Sequence, residues 1–143
     1  MSPALVFLIG NALAPLGWLL LLLLPTWRGT QRVVHGGGIL LVLLGILYTY
    51  LLASSLIATG QVPDFGSIDG IRALMADDRA LVAGWLHYLA FDLFVGSWQV
   101  LDGQRRGIGR LWLAPCLVLT FLAGPVGLLA YLALRNFVGT KES

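Results

Sequence analysis

The chain has 143 residues, of which 58% are hydrophobic and 11% are charged, with a formal net charge of +2. Soluble domains carry about 25% charged residues, so most of this surface is not suited to water. The basic residues are dispersed rather than clustered on one face, which excludes a nucleic-acid-binding protein. The single cysteine, Cys116, excludes an intramolecular disulfide and a cysteine metal cluster.

Four segments are long and apolar enough to cross a membrane as helices: residues 4–24, 33–58, 81–101 and 111–134. Each has roughly the 20 residues that a helix needs to span about 30 Å of hydrocarbon. We therefore predict an all-α integral membrane protein in which residues 1–143 form a single four-transmembrane-helix bundle. The first segment lacks the basic start and the cleavage site of a signal peptide, so we interpret it as a helix of the mature protein.

The connection between the second and third helices is predicted to contain a turn and then a short amphipathic helix. The Pro, Gly and Asp residues at 63–66 are typical of a turn, and Ser67 is a suitable helix cap. Apolar residues then recur at helical spacing, namely Ile68, Ile71, Leu74 and Met75. Two interpretations stay open: a helix lying on the bilayer surface, or a lid over a site between the helices.

The two remaining connections are rich in arginine, and we call their end of the bundle the basic side. They hold Arg28, Arg32, Arg105, Arg106 and Arg110. The opposite end, which we call the N-terminal side, is predicted to hold Arg72, Arg79, Arg135 and Lys141. Basic residues near helix ends favour the cytoplasmic side of a membrane. We therefore expect the basic side to face the cytoplasm and both chain termini to face outward.

Every predicted helix carries a polar or irregular position in the half of the bilayer next to the N-terminal side. The third helix contributes His87 and also Asp92, which lies about 11 residues into the helix and so near the membrane midplane. The other helices contribute Asn11, Tyr48 and the Gly124–Pro125 pair. Charged groups at this depth usually face the bundle interior or a cavity. The coincidence predicts a functional site in this half of the bundle.

One face of the third helix presents a stripe of polar, aromatic and small residues. At about 100° per residue, the stripe consists of Trp85, Tyr88, Asp92, Gly96 and Gln99. His87 lies about 140° from Asp92 around the helix, so the two side chains are not expected to touch. We expect Asp92 to meet a neighbouring helix, with Asn11 or Thr120 as its partner. Asp92 is then either a structural hydrogen-bonding group or a functional acid, and His87 either a tolerated polar group or a base.

The sequence argues against a metal or another cofactor. Two histidines are too few for a membrane di-iron oxygenase. His35 and His87 are also predicted to lie about 10–20 Å apart along the membrane normal, too far for a bis-histidine haem. No G-x-S-x-G motif, phosphate-binding loop or CxxC motif occurs. The ligand-binding candidates are Asn11, Tyr48, Trp85, Tyr88, Gln99, Thr120, Gly124 and Pro125.

Three stretches together resemble one family of small membrane proteins. They are "AGWLHYLAFDLFVGSWQVLD" (83–102), "RRGI" (105–108) and "PCLVLTFLAGPVGLLAYL" (115–132). The resemblance is to the abscisic-acid-deficient-four-like family, which has four predicted spans. Its plant members act in carotenoid metabolism, where they are required to convert violaxanthin to neoxanthin. That isomerisation opens an epoxide to an allene and a hydroxyl group.

The resemblance implies a cofactor-free isomerase of an epoxy-carotenoid or another isoprenoid lipid. Asp92 and His87 match the required proton donor and base by residue type. The alternatives are a non-catalytic protein that binds carotenoid or lipid or scaffolds a biosynthetic complex, and a small transporter subunit that acts as an oligomer. The plastid-targeting extension of the plant members is missing, so we expect a bacterial protein of the inner (cell) membrane. Its expected partners are membrane lipid and a carotenoid or other isoprenoid.

Overall fold

A computed structural model describes residues 1–36, 38–60 and 62–138, and this part of the chain is helical without a strand. The helices are α1 (Pro3–Leu23), α2 (Arg28–Val33), α3 (Ile39–Thr59), α4 (Ile68–Leu74), α5 (Asp78–Arg105) and α6 (Arg110–Phe137). Four of them, α1, α3, α5 and α6, are long and apolar enough to span a membrane. The predicted all-α membrane fold with four long helices is confirmed.

Helix α5 is the centre of the bundle and packs against α1, α3 and α6. Small residues let α1 approach it closely: Gly10 lies against Leu86, and a methyl group added to Gly17 would be 2.8 Å from Leu93 Cδ2. Gly96 of α5 in turn lies against the ring of Trp18. Later residues of α1 contact later residues of α5, so the two helices are parallel and run from the N-terminal side to the basic side.

The segment between the first two long helices differs from the prediction. The second long helix, α3, begins at Ile39 instead of residue 33, after a turn in which Gly36 has a φ of +62°. The short helix α2 precedes this turn, and the sequence analysis did not predict it. A buried hydroxyl fixes α2, because Thr30 Oγ1 donates to the Leu24 carbonyl at 2.6 Å.

His35 lies in this turn and is buried against α5, and burial lowers its pKa. Its Nε2 is 3.4 Å from the Pro25 carbonyl, which only accepts, so Nε2 carries the proton. Its Nδ1 then accepts from the Ser97 hydroxyl at 2.7 Å. The histidine therefore joins the α2–α3 connection to α5.

The short helix α4 forms where the sequence predicts it. Ser67 caps its first turn, since Ser67 Oγ accepts a hydrogen bond from the Gly70 N–H at 3.0 Å. Asp69 and Arg72 form an exposed ion pair on its outer face. Asp77 caps the next helix by accepting from the Arg79 N–H at 3.2 Å, so α5 begins three residues earlier than the predicted start at 81.

Helix α6 does not run straight from one end of the bundle to the other. Ala123 has φ −153° and ψ 61°, which is not helical, and it separates a first arm (110–122) from a second arm (124–137). Pro125 explains the break, because it lacks the N–H that would bond to the Phe121 carbonyl. The residue before a proline is also restricted away from the helical region, and here that residue is Gly124.

The two arms run antiparallel, as their contacts with α5 show. A methyl group placed on Gly103, near the basic side, would be 3.3 Å from Leu113 Cδ2 in the first arm. The same group would be 3.8 Å from the Tyr131 hydroxyl in the second arm. Gly124, at the bend, instead lies against Asp92, in the middle of α5. Helix α6 is thus a hairpin that enters from the basic side, turns at the level of Asp92 and returns.

The hairpin corrects the predicted position of the second arm. The sequence analysis placed Arg135 and the chain's C-terminus with the N-terminus. The placement of Arg135 is wrong, because Arg135 pairs with Asp102 near the basic end of α5, with 3.4 Å between Nη1 and Oδ2. The C-terminus lies outside the described residues. Lys141, which was assigned to the same end, lies outside the described residues.

Candidate binding and catalytic site

Asp92 lies directly under the bend of the α6 hairpin. It is near the middle of α5, 14 residues after the start of that 28-residue helix. A side chain on Gly124 would overlap the Asp92 carboxyl group, so only glycine allows the bend to approach this closely. The sequence predicted Asp92 and Gly124 as site residues at similar depth, and the structure brings the two together.

The carboxyl group of Asp92 is not fully satisfied by the described part of the protein. The Tyr88 hydroxyl lies beside the carboxyl group and beside the backbone of Gly124. Asp92 Oδ2, however, is buried without a hydrogen-bond partner among the described residues. Buried polar atoms nearly always have a partner, so this carboxyl group is a candidate functional group.

The two partners predicted for Asp92 are wrong. Asn11 Oδ1 accepts instead from Trp85 Nε1 at 2.9 Å, which fixes the indole ring against α1. Thr120 Oγ1 accepts from Gln99 Nε2 at 2.9 Å and donates to the backbone of its own helix. Both pairs join the stripe of α5 to neighbouring helices, but through Trp85 and Gln99 instead of Asp92, which lies against Gly124.

His87 and Asp92 lie on different faces of α5, as their angular separation predicts. The His87 ring is exposed and stacks on Phe91, with 4.4 Å between ring centroids. Tyr48 of α3 lies beyond it, with 5.8 Å between its centroid and that of His87. The predicted site residues therefore fall into two groups, with His87 and Tyr48 on the α3 side and Asp92 on the α6 side.

An apolar groove lies below the hairpin, on the face of α5 that α6 leaves uncovered. It encloses about 550 Å³ and is lined by Phe7, Met75, Leu81, Val82, Gly84, Trp85 and Tyr88. This volume is within the range of about 300–1,000 Å³ that is usual for small-molecule sites. Tyr88 lines the groove, and its hydroxyl group also lies beside the Asp92 carboxyl group, so one residue connects the groove to the surroundings of Asp92.

Aromatic rings form one wall of this groove. Trp85 stacks on Tyr88 with 5.4 Å between centroids, and Phe7 of α1 lies 6.3 Å from Trp85. The sequence predicted Trp85 and Tyr88 as ligand-binding residues but missed Phe7 and Met75. Phe7 lies one helical turn before Asn11, so its position on the same face of α1 was the available signal.

A cluster of charged and aromatic side chains holds the second arm of the hairpin in place. Asp102 Oδ2 accepts from the Tyr131 hydroxyl at 2.7 Å and from Arg106 Nε at 2.8 Å, and it pairs with Arg135. The guanidinium of Arg135 also lies over the ring of Trp98, 5.6 Å from its centroid. The cluster fixes the returning arm to α5 and thereby holds the bend over Asp92.

A second, more polar cavity of about 310 Å³ opens near the N-terminal side, between α3, α4 and the start of α5. Ser55 donates to Asp77 Oδ2 at 2.5 Å, and this bond holds the pKa of the Asp77 carboxyl group below its ordinary value. Hydrogen bonds from Ser67 and from the Gly66 N–H likewise lower the pKa of Asp64. Asp64 is therefore held by bonds within the connection, whereas Asp77 joins α3 to the start of α5, which it caps.

Comparison with known proteins matches the chain to a family. A family model described as ABA DEFICIENT 4-like (ABA4-like) matches residues 5–131, which include the groove wall, Asp92 and the hairpin bend. No curated protein and no solved structure matches the chain.

Proposed function

Because the chain belongs to the ABA DEFICIENT 4-like family, which links it to carotenoid metabolism at the membrane, we propose that it isomerises an epoxy-carotenoid or related isoprenoid. Asp92 is the proton donor, and the aromatic groove receives the apolar body of the substrate. The protein acts in the inner membrane of a bacterium. No metal or redox cofactor takes part, since the reaction changes neither the composition nor the oxidation level of the substrate.

The observation that carries this proposal is the unpartnered, buried Oδ2 of Asp92 under the hairpin bend. Surroundings of low polarity favour the neutral form of a carboxyl group, which donates a hydrogen bond. An epoxide is an acceptor that has no proton to give, so it complements a protonated carboxyl group. The Tyr88 hydroxyl beside Asp92 is in position to orient that group.

The reaction needs one proton donor and one proton acceptor, and one carboxyl group can provide both. Asp92 gives its proton to the epoxide oxygen as one of the two C–O bonds breaks. The oxygen remains on the other carbon as a hydroxyl group. The chain carbon next to the opened position then loses its proton to the second carboxyl oxygen, and the C–H electron pair completes the allene. Asp92 ends protonated as it began, so the cycle is balanced.

This mechanism assigns no step to His87. The exposed imidazole lies on the α3 side, next to Tyr48 and Phe91, and is not among the residues that line the groove. The earlier hypothesis of an Asp92–His87 acid–base pair therefore loses its geometric support.

The alternative is a non-catalytic protein that binds the same isoprenoid or scaffolds a biosynthetic complex. One feature of the groove favours this alternative. Apart from Tyr88, the residues that line the groove carry no ionisable side chain that could take part in catalysis. Nothing in the described residues favours a transporter subunit.

Turnover of violaxanthin in proteoliposomes tests the proposal, with chromatography detecting the allenic isomer. Loss of a general acid costs roughly 10²- to 10⁴-fold in rate, so Asp92→Asn is expected to reduce turnover by at least about 100-fold. His87→Gln, on the same helix, is the matched control and is expected to keep wild-type turnover. Full activity in Asp92→Asn would exclude the acid role. A wild-type protein that retains violaxanthin unchanged would favour the binding alternative.

A further inference from the structure

We infer that the groove takes one end of a polyene chain from the surrounding lipid, with the oxygenated end at Asp92 and the chain running along Trp85 towards Met75. The inference rests on the proposed function in one respect, namely that Asp92 binds the ligand oxygen. It adds the direction of binding and the residues that limit the size of the bound end.

The hairpin determines which half of the membrane the ligand comes from. The α6 bend covers α5 from Asp92 towards the basic side, whereas the face from Leu81 to Tyr88 carries no α6 arm. Leu81 and Trp85 are 51% and 40% exposed, so the groove is open to lipid along its length. The ligand therefore enters sideways, from the leaflet next to the N-terminal side, and its path ends under the bend.

The length of the groove limits what it can hold. Leu81 and Asp92 are eleven residues apart on one helix, which corresponds to about 16 Å. A longer isoprenoid therefore projects from the groove into lipid. Only the end that carries the reacting oxygen is held by the protein.

The aromatic wall indicates an unsaturated chain. Trp85, Tyr88 and Phe7 present their rings along the groove, and the bond from Trp85 Nε1 to Asn11 fixes the indole. Flat conjugated chains stack on such rings, and aromatic contacts of this kind are favourable beyond the burial of area alone. A saturated acyl chain lacks this interaction.

Helix α4 closes the outer end of the groove through Met75. A methyl group added to Gly84 would be 3.2 Å from Met75 Cε, so the methionine lies directly over this glycine. Gly84 thus lets Met75 pack against α5 at the outer end of the groove, and a larger side chain at this position would enter the groove. This favours the lid interpretation of α4 over a helix that only lies on the bilayer.

Binding of all-trans-retinol, a polyene alcohol, to the reconstituted protein tests the inference. The signal is energy transfer from tryptophan to bound retinol. Gly84→Phe and Leu81→Trp are each expected to weaken binding by about tenfold or more, as added bulk does in a fitted apolar pocket. Gly45→Phe is the matched control, because no atom lies within 4 Å of a methyl group added there. Leu81 is largely exposed, so Leu81→Trp tests the groove even where Gly84→Phe disturbs folding.

Two further comparisons test in which direction the ligand lies in the groove and whether the groove prefers an unsaturated chain. Trp85→Phe should remove more of the energy transfer than Trp112→Phe, because Trp112 lies near the basic side. Hexadecanol, a saturated alcohol, should compete weakly. Equal binding by wild type, Gly84→Phe and Leu81→Trp would overturn the inference. If Gly84→Phe and Leu81→Trp bind retinol normally while Asp92→Asn lacks turnover, the groove assignment is wrong and the proposed function stands. If those two variants lose binding while Asp92→Asn keeps full turnover, the groove assignment stands and the role of Asp92 as proton donor is excluded.

Discussion

Among individual residues, Asp92 shows what helical geometry predicts from the sequence and what it does not predict. The rotation per residue correctly predicted that Asp92 shares a face with Tyr88 and Gln99 and that His87 points elsewhere. It did not predict what Asp92 meets. Asn11 and Thr120 have the right depth and chemistry to bond to Asp92. Which way each side chain faces depends on the rotation of its helix about the helix axis, and this rotation is set by the packing of the whole bundle.

His35 illustrates a signal that sequence alone did not provide. It was considered only as a haem ligand, because nothing local indicates that the α2–α3 turn folds back against Ser97. A long-range contact of this kind follows from tertiary packing rather than from the neighbouring residues.

Burial of His35 predicts a specific pH dependence of stability. Its pKa is lowered in the folded state, so the unfolded chain binds more protons as the pH falls below about 6.5, the ordinary pKa of histidine. Stability is therefore full above this pH and decreases as the pH falls. Thermal unfolding in detergent at pH 7.5 and 5.5 should show a larger drop in Tm for wild type than for His35→Gln.

Two features separate the effect of His35 on stability from the effects of other ionisable groups. The pKa values of Asp64 and Asp77 are lowered, so their contributions are lost only in more acidic solution. His87→Gln is the matched control for replacing a histidine by glutamine. An identical drop in Tm for wild type and His35→Gln would contradict the role given to His35.

Among the helices, length and hydropathy identified the four long elements but not the course of the last one. A 28-residue apolar helix and two antiparallel arms of half that length have the same composition. The break was visible as Gly124–Pro125, and the sequence analysis did relate it to a site. The reversal follows only from contacts such as that of Arg135 with Asp102, which a sequence does not specify.

The hairpin makes Gly127 a sensitive position. Any side chain there would overlap the backbone of Thr120 in the opposite arm. Gly127→Ala should therefore destabilise the protein by about 1–3 kcal/mol, as overpacking does. Alanine normally stabilises a helix relative to glycine by roughly 0.5–1 kcal/mol, so Gly45→Ala, in open space on α3, should be neutral or stabilising. Chemical or thermal unfolding measures both, and equal stabilities would argue against the close crossing of the arms.

In the molecule as a whole, the hairpin changes the charge balance between the two ends. Moving Arg135 to the basic side leaves Arg72 and Arg79 as the basic residues of the N-terminal side in the described chain. The basic side now holds the five arginines of its connections and Arg135. By the positive-inside rule we expect the basic side to face the cytoplasm, and with it the end of α6, which the sequence analysis expected to face outward.

The central claim is that α6 turns back in the membrane and places its bend over Asp92. The sidedness of three positions tests it most directly, using single cysteines in a Cys116→Ala background and a membrane-impermeant maleimide on sealed vesicles. Val62→Cys marks the N-terminal side, Gly109→Cys the basic side, and Val138→Cys the end of the second arm. We expect Val138→Cys to be labelled from the same side as Gly109→Cys. Labelling of Val138→Cys together with Val62→Cys would show that α6 crosses the membrane and would contradict the account.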